Sequence, residues 1–383
     1  MMDFLAAPRP RLHPDAPPMP LSHQEIARYQ RHLSLAGFGP AAQERLKASS
    51  VLVIGAGGLG CPALLYLAAA GVGSITIADP DRVDASNLQR QVLYTSEDQG
   101  ANKAEAAARR LLALNPLIRV TALPVRFDRS NALRLVAAAD LVLDGSDNFA
   151  TRYLVNDACV IAGRPFVYGA IQGFEGQVSV FNLNGGPTYR CLFPEPPEPG
   201  TVPNCAEAGV LGAVTGMIGT TQACEAIKVL AQVGEPLSGR LLVWDTLSMR
   251  ASLVGLRPDP LQRSIKELPP EGYGETCIAE ARTDEVNAPG LRRMLSDGRP
   301  LQLLDVREGW ERELSSIDPS VHLPLGRLEI LPPGPVEGMD PGVRTVVYCA
   351  AGVRSHRAMQ LLRSKHRFTQ VLNLTGGIRD WQP

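Results

Sequence analysis

The sequence predicts an α/β fold: a mainly parallel sheet covered by helices, with an antiparallel extension and a smaller α/β domain behind it. Three observations carry that expectation. Short β-branched runs such as "VLVIGAG" and "SITIAD" flank an Ala- and Leu-rich helical pattern, and such alternation builds βαβ units. Past Gly176 the pattern changes to "QVSVFN", "LLVWDT" and "RASLVGL", which suggests antiparallel strands. From Asp284 the alternation starts again, with strands at "LQLLDV", "RTVVYC" and "VLNL" and helices at "APGLRRMLSD" and "SHRAMQLLRSKH".

Taken in order, residues 1–22 form a Pro-rich lead-in that lacks the basic start and apolar core of a signal peptide, so disorder is expected. Residues 23–256 make the first domain. Within it, "KAEAAARRLLALN" reads as a helix, followed by strands at "RVTALPV" and "DLVLDGSD". The stretch "NGGPTYRCLFPEPPEPGTVPNCAEAG" is too rich in Pro and Gly for regular structure and reads as a mobile crossover. "AGVLGAVTGMIGTTQA" spaces small residues at Gly212 and Gly216. It falls short of the ~20 residues a membrane span needs and is closely flanked by charge, so a packed helix is expected. Residues 257–283 read as a linker and 284–383 as the second domain.

Thirty-eight Lys and Arg against 39 Asp and Glu leave no global charge to attract nucleic acid or a membrane surface. Seven cysteines, odd in number and scattered, suit a reducing, cytoplasmic setting better than a disulfide framework. Cys61, Cys159 and Cys224 fall in helical, apolar surroundings and are expected in the core.

"VLVIGAGGLGCP" places Gly55, Gly57, Gly58 and Gly60 at a strand-to-helix turn. Backbone can approach a phosphate there, and the helix N-terminus offers N–H donors. This makes the first domain Rossmann-like. Asp79 ends the next strand, where a carboxylate accepts ribose hydroxyls. Those features alone mean a nucleotide, and a nicotinamide-dependent oxidoreductase would satisfy them. The next residues do not fit hydride transfer. Asn87, Arg90 and Gln91 in "DASNLQRQ", then Lys103, bring cations and amides towards phosphates, which suits nucleotidyl transfer. Asp144 and Asp147 in "LVLDGSDN" end a later strand, where a carboxylate would hold Mg²⁺.

"RYQRHLSLAGFG", "GAGGLGCP", "SNLQRQVLY", "NKAEAA", "LDGSDNFATRYLVND" and "CLFPEPP…NCAEAGVLG" together resemble the MoeB/ThiF family. These are ubiquitin-activating-enzyme-like adenylyltransferases that serve sulfur-carrier proteins. The resemblance implies that Gly58, Asp79, Asn87, Arg90, Lys103 and Asp147 contact ATP and its Mg²⁺. It also implies that Arg31 reaches the ATP site of a partner subunit, hence a homodimer. The implied reaction joins AMP to the C-terminal Gly-Gly carboxylate of a small ubiquitin-like carrier. Many members bind structural zinc through paired C-x-x-C motifs. Here the first pair reads "TYRC", with Thr188 and only Cys191, and downstream only Cys277 remains. No structural zinc is expected.

The second domain contains "YCAAGVRS", in which four residues separate Cys349 from Arg354. Cysteine phosphatases place one more residue there, to wrap a tetrahedral phosphate, so this tighter loop suits a sulfur atom better. Between Pro341 and Arg379 there are seven Lys and Arg and no Asp or Glu. A field of that sign would favour Cys349 as thiolate. "LLDVREGWERE", "HLPLGRL", "YCAAGVRS" and "NLTGGIRDW" resemble a rhodanese domain, and the resemblance makes Cys349, Ala350, Ala351, Gly352, Val353 and Arg354 a persulfide loop.

The joint expectation is adenylation of a carrier's Gly-Gly tail, followed by sulfur transfer from Cys349 to give a thiocarboxylate. The sulfur donor would be a cysteine desulfurase persulfide or thiosulfate. Cys205, in "TVPNCAEAG", matches the family's second reactive cysteine. Two alternatives stand beside this: an oxidoreductase on the glycine fingerprint, and a non-catalytic scaffold that docks ubiquitin-fold proteins.

Overall fold

The computed structural model describes residues 20–196, 209–270, 272–273 and 284–381. They fall into two compact units, one ending at Tyr273 and the other starting at Asp284. Cys205 and Cys277 lie outside the described residues.

The first unit opens with α1 (His23–Leu33) and α2 (Gly39–Ala48). Ser22 caps α1 through a capping box with Glu25, which satisfies donors the helix start leaves free. Then follow β1 (Ser50–Ile54), α3 (Gly60–Ala70), β2 (Ser74–Ala78), α4 (Lys103–Leu114), β3 (Arg119–Leu123), α5 (Ala132–Ala137), β4 (Leu141–Asp144) and α6 (Phe149–Ala162). After these come β5 (Phe166–Gln172), β6 (Glu175–Phe181), α7 (Tyr189–Leu192), α8 (Gly212–Ala231), β7 (Arg240–Asp245) and β8 (Arg250–Gly255). The strands form one sheet in the order β3-β2-β1-β4-β5-β6-β7-β8. Pairing is parallel from β3 to β5 and antiparallel from β5 to β8. The strand order reverses beside β1, and in open α/β sheets the crevice at that reversal is where ligands bind.

β1 shows why the centre of the sheet is uniformly apolar. Val51 and Val53 join the cluster beneath α3 and α8, whereas Leu52 and Ile54 join the one beneath α5 and α6. Both faces are buried, as a parallel sheet requires. α8 is the helix expected from "AGVLGAVTGMIGTTQA". A Cβ on Gly212 would lie 2.1 Å from the Gln89 carbonyl, and one on Gly219 would lie 2.3 Å from that of Leu59. The small residues thus let α8 lie on the glycine turn itself. Gly216 has nothing within 4 Å of such a Cβ. No helix of the described residues is long and apolar enough to cross a membrane.

β5 is absent from the strands read off the sequence. Its middle residue is Gly169, a poor strand former whose Cβ space is filled by the side chain of Gln222. Part of the stretch read as linker also packs on the first unit: Leu268 is buried, and Tyr273 donates to Asp157 Oδ2 at 2.8 Å.

The second unit carries a parallel five-stranded sheet in the order β11-β10-β12-β13-β9. In chain order its elements are β9 (Glu285–Val286), α9 (Ala288–Ser296), β10 (Leu301–Asp305), α10 (Gly309–Leu314), β11 (Val321–His322), α11 (Leu325–Ile330), β12 (Arg344–Tyr348), α12 (Val353–His366), β13 (Val371–Leu374) and α13 (Gly377–Trp381). Central β12 sends Val347 to one face and Val346 and Tyr348 to the other. Cys349 follows at its C-terminal end.

Candidate active sites

In the first unit the turns after β1 and β4 are pressed together. Gly55 has φ +86°, and a Cβ there would lie 2.9 Å from the Gly145 carbonyl. The Gly145 N–H donates to the Ile54 carbonyl at 2.8 Å. The loop that carries Asp147 is therefore seated against the glycine turn. Gly60 begins α3, and its missing Cβ leaves room for the Gly55 carbonyl, which would stand only 2.0 Å away. Gly57 and Gly58 face Gln91 Nε2 and Arg90 Cδ, at 3.7 and 3.5 Å from their Cβ positions. Asn87 fixes those two residues, because its carbonyl accepts from the N–H groups of Arg90 (3.0 Å) and Gln91 (2.9 Å). Gln91 Oε1 is buried without a hydrogen-bond partner among the described residues.

Asp79 is buried, and its two oxygens accept from the N–H groups of Ala56 (2.7 Å) and Asp81 (2.8 Å). Burial pushes its carboxyl up; the two N–H groups and Lys103 oppose that. Lys103 is itself buried at the start of α4 and pairs with Asp81 at 3.0 Å. Asp147 is exposed. Asp144 is fully buried and holds the turn ahead of Asp147 through Oδ1, which accepts from both the N–H and the hydroxyl of Ser146. Burial drives the Asp144 carboxyl up, against the nearby Arg152 guanidinium. Arg31 lies exposed in the last turn of α1 and makes no hydrogen bond or ion pair among the described residues. The cradle thus assembles Gly55, Gly57, Gly58, Gly60, Asp79, Asn87, Arg90, Gln91, Lys103 and Asp147 and leaves Arg31 outside.

Sequence reasoning missed four contributors. Asp81 anchors Lys103. Tyr94 donates to the Ala56 carbonyl at 2.8 Å. Gln222 of α8 donates to the Asp144 carbonyl at 2.7 Å. Arg152 lies over the rings of Phe149 and Tyr168. Asp81 alone carried a legible signal, two residues beyond a strand-end Asp. Among the cysteines, Cys61 and Cys159 are buried as expected, and burial pushes the Cys61 thiol up to about 12. Cys224 departs from expectation: it is exposed, on the outward side of α8.

Cys191 marks the region of the incomplete zinc motif. Its sulfur accepts from the N–H groups of Thr188 and Asp259, each at 3.3 Å. Arg190 beside it forms a bidentate pair with buried Asp157, at 2.8 and 2.9 Å. The Tyr273 hydroxyl reaches the same carboxylate. These contacts join α6, α7 and the segment after β8.

In the second unit Cys349 Sγ is buried, accepting from the Gly352 N–H at 3.1 Å with the Ser355 hydroxyl at 3.3 Å. Gly352 has φ +98° and precedes α12, whose N-terminus faces the loop. The "GG" of "NLTGGIRDW" clamps the far side: a Cβ on Gly377 would lie 2.4 Å from the Cys349 carbonyl, which accepts from the Ile378 N–H at 2.8 Å. The cationic field read from the sequence needs correction. Arg354, Arg357 and Arg363 pair with Glu311, Glu329 and Asp284, all from outside the acid-free stretch. A count along the chain could not see those partners. What faces the sulfur is a backbone donor, a hydroxyl and a helix end.

Residues 29–263 match the ThiF family, and residues 287–383 match the rhodanese-like domain. The chain belongs to the ThiF family and carries a rhodanese-like domain behind the ThiF unit. It is 46% identical over 377 residues to MoeZ of Mycobacterium tuberculosis, named a probable adenylyltransferase/sulfurtransferase, with 95% of each chain covered. It is 55% identical over 242 residues to the sulfur carrier protein adenylyltransferase of Thermus thermophilus, covering 62% of this chain and 89% of that one. The crystal structure of E. coli MccB with MccA-N7isoASN shares the fold, with a TM-score of 0.56 and 24% identity over 63% of this chain and 74% of that one. The protein is therefore an enzyme, an adenylyltransferase joined to a sulfurtransferase, and ATP use follows from its adenylyltransferase class. These matches support neither the oxidoreductase nor the scaffold alternative.

Proposed function

We propose that the protein adenylates the C-terminal Gly-Gly carboxylate of a ubiquitin-like sulfur carrier and then converts it to a thiocarboxylate. One observation carries this reading: a single chain holds a glycine cradle bordered by Arg90, Lys103 and Asp147 and a buried cysteine loop closed on Arg354. The first suits carboxylate activation and the second suits sulfur carriage.

The cradle fits a nucleotide, since the backbone at Gly57 is open except for Gln91 Nε2 at 3.7 Å from its Cβ position, and Gln91 Oε1 is buried with no partner among the described residues. Asp147 fits Mg²⁺, which takes one or two carboxylates together with substrate phosphates; bound there, the ion would neutralise phosphate charge. Lys103 and Arg90 meet charge that develops as pyrophosphate departs. Asp79 holds the ribose. Arg31, exposed and unengaged, acts across a homodimer.

A carrier carboxylate oxygen attacks the α-phosphorus, and pyrophosphate leaves. The outer sulfur of a Cys349 persulfide, loaded by a cysteine desulfurase persulfide or thiosulfate, attacks the acyl carbon. AMP leaves with the electron pair of the broken C–O bond, and an acyl disulfide joins carrier to enzyme. Attack of a second thiol on Cys349 Sγ breaks the S–S bond, releases the thiocarboxylate and leaves a disulfide on Cys349 that an external thiol reduces. Cys205 is the candidate for that second thiol in this reading. The reading sets this chemistry in a reducing, cytoplasmic compartment, which seven scattered cysteines suit better than a disulfide framework. The test is to incubate the enzyme with a ubiquitin-fold protein ending in Gly-Gly, ATP, Mg²⁺ and thiosulfate, and to weigh the carrier. A thiocarboxylate that needs both ATP and the sulfur donor supports the reading; a carrier of unchanged mass, with active enzyme, ends it.

A further inference from the structure

Ser355 stands between Cys349 and Asn373 on the buried side of the loop. Its Oγ lies 3.3 Å from Cys349 Sγ and 2.7 Å from Asn373 Oδ1. The three residues are 0, 2 and 4% exposed in the order Ser355, Cys349, Asn373. Water is thus scarce around this group. A hydroxyl owns one proton, and here two neighbours compete for it. While Cys349 is a thiol, its S–H can point to Oγ and the hydroxyl proton rests on the Asn373 carbonyl oxygen. Once Sγ is an anion the balance reverses, because a hydrogen bond to an ionised acceptor is about twice as strong as a neutral one.

We propose that Ser355 is a catalytic hydroxyl of the sulfurtransferase site, its proton turning from Asn373 to Cys349 Sγ whenever that sulfur carries the negative charge, with Asn373 as the positioning residue. The proposal rests on the reading of Cys349 as the sulfur carrier.

The two half-reactions use this hydroxyl unequally. In loading, the Cys349 thiolate attacks the outer sulfur of thiosulfate. A bond forms at Sγ, and sulfite leaves with the electron pair of the old S–S bond. In unloading, cyanide attacks the outer sulfur, the Sγ–S bond breaks, and its electron pair returns to Sγ as thiocyanate departs. Neither half gains or loses a proton. During loading Sγ is the attacking atom, and a donor that steadies the anion also dulls its attack, so the net effect is small. During unloading Sγ is the leaving group, and charge returns to a buried atom reached only by the Gly352 N–H and the Ser355 hydroxyl among the described residues. Arg354 turns both terminal nitrogens to Glu311 and makes no hydrogen bond to Sγ among the described residues, whose donors there are Gly352 and Ser355. Removing the hydroxyl should therefore slow unloading selectively.

The experiment uses full-length enzyme with Ser355→Ala and Cys349→Ala. Each is treated with thiosulfate, the persulfide is quantified by mass spectrometry, and cyanide is then added while thiocyanate is followed. For Ser355→Ala, unloading is expected to slow by roughly 100-fold, the lower end of the range for losing one transition-state donor, with loading changed by less than about three-fold. Unchanged unloading, or equal losses in both halves, overturns the proposal in favour of a packing role. If Ser355→Ala melts early, Ser355→Thr decides instead: it keeps the hydroxyl and alters the packing, so preserved unloading supports the proposal and lost unloading overturns it. Persulfide or thiocyanate from Cys349→Ala would overturn the underlying sulfur-carrier reading, an outcome distinct from any result with Ser355.

Discussion

Glu311 holds Arg354 by two parallel hydrogen bonds of 2.7 and 2.6 Å, and so fixes the residue that closes the Cys349 loop to the helix after β10. Burial alone would push the Glu311 carboxyl up, but the bonds from Arg354 and the Glu308 N–H outweigh it and hold it below the ordinary range. A carboxylate lowered by folding contributes stability that is complete above its unfolded value, about 4.3 for glutamate. That contribution is lost as the pH falls through the folded value. Glu311→Gln should therefore destabilise the enzyme by about 1–2 kcal/mol at pH 7, allowing for partial exposure of the pair. The gap should shrink at a pH well below that unfolded value, as read by denaturant unfolding that resolves the second unit. A gap of equal size at both pH values would assign the effect to packing instead.

Adenylation should depend on Lys103 and Asp147 in different ways. Lys103→Ala removes a buried cation held by Asp81, and carrier-dependent pyrophosphate exchange should fall by about 2–4 kcal/mol in rate terms, roughly 30- to 900-fold. Asp147→Asn should abolish metal-dependent exchange while the melting temperature barely moves, since Asp147 is exposed and supports no core contact. Raising the metal concentration should recover part of the Asp147→Asn activity and none of the Lys103→Ala loss. The opposite pattern would reverse the assigned roles.

Much of this architecture was legible because it is local. The glycine turn, the β1 and β2 runs and the Cys349 loop each lie within a short window, and their periods or residue types suffice. What could not be read was pairing between distant segments. Gln222 fills the space over Gly169 from more than fifty positions away. Glu311 neutralises an arginine that looked unopposed along the chain. Cys224 shows the same limit on one helix: α8 is apolar nearly all round, so its period does not say which face is outward.

The incomplete zinc motif gives a test of how the first unit holds its C-terminal segment. Asp157 is buried and accepts from Arg190, Tyr273 and Asn156. Asp157→Asn would leave Arg190 short of its counter-charge, and should cost roughly 2–4 kcal/mol. Cys191→Ser should cost under about 1 kcal/mol, because an oxygen there still accepts from Thr188 and Asp259. Elemental analysis after dialysis should find no stoichiometric zinc in wild type. One tightly held zinc per chain, lost in Cys191→Ser, would mean that this sulfur is a ligand and that the Asp157 network is secondary.

The two chemistries should separate by single cysteines. Cys349→Ala removes a thiol whose partners, Gly352 and Ser355, belong to the second unit, and that unit has its own core. Carrier-dependent pyrophosphate exchange should therefore stay within about two-fold of wild type, because separate cores transmit little of a one-atom truncation. Thiosulfate:cyanide sulfurtransfer and thiocarboxylate formation should both collapse, unless free sulfide at high concentration replaces the persulfide. Cys205→Ala should spare the thiosulfate:cyanide reaction and impair only product release to the carrier, with an acyl-linked species accumulating on the enzyme. Arg31 adds a check on assembly. Mixing Arg31→Ala with Asp147→Asn subunits should restore part of the exchange activity, since a mixed dimer holds one intact site if Arg31 acts across the interface. The decisive readout is the mass of the carrier after incubation with ATP and thiosulfate. A Cys349→Ala enzyme that made thiocarboxylate at the wild-type rate would remove the loop from the pathway, whatever the adenylation assays returned.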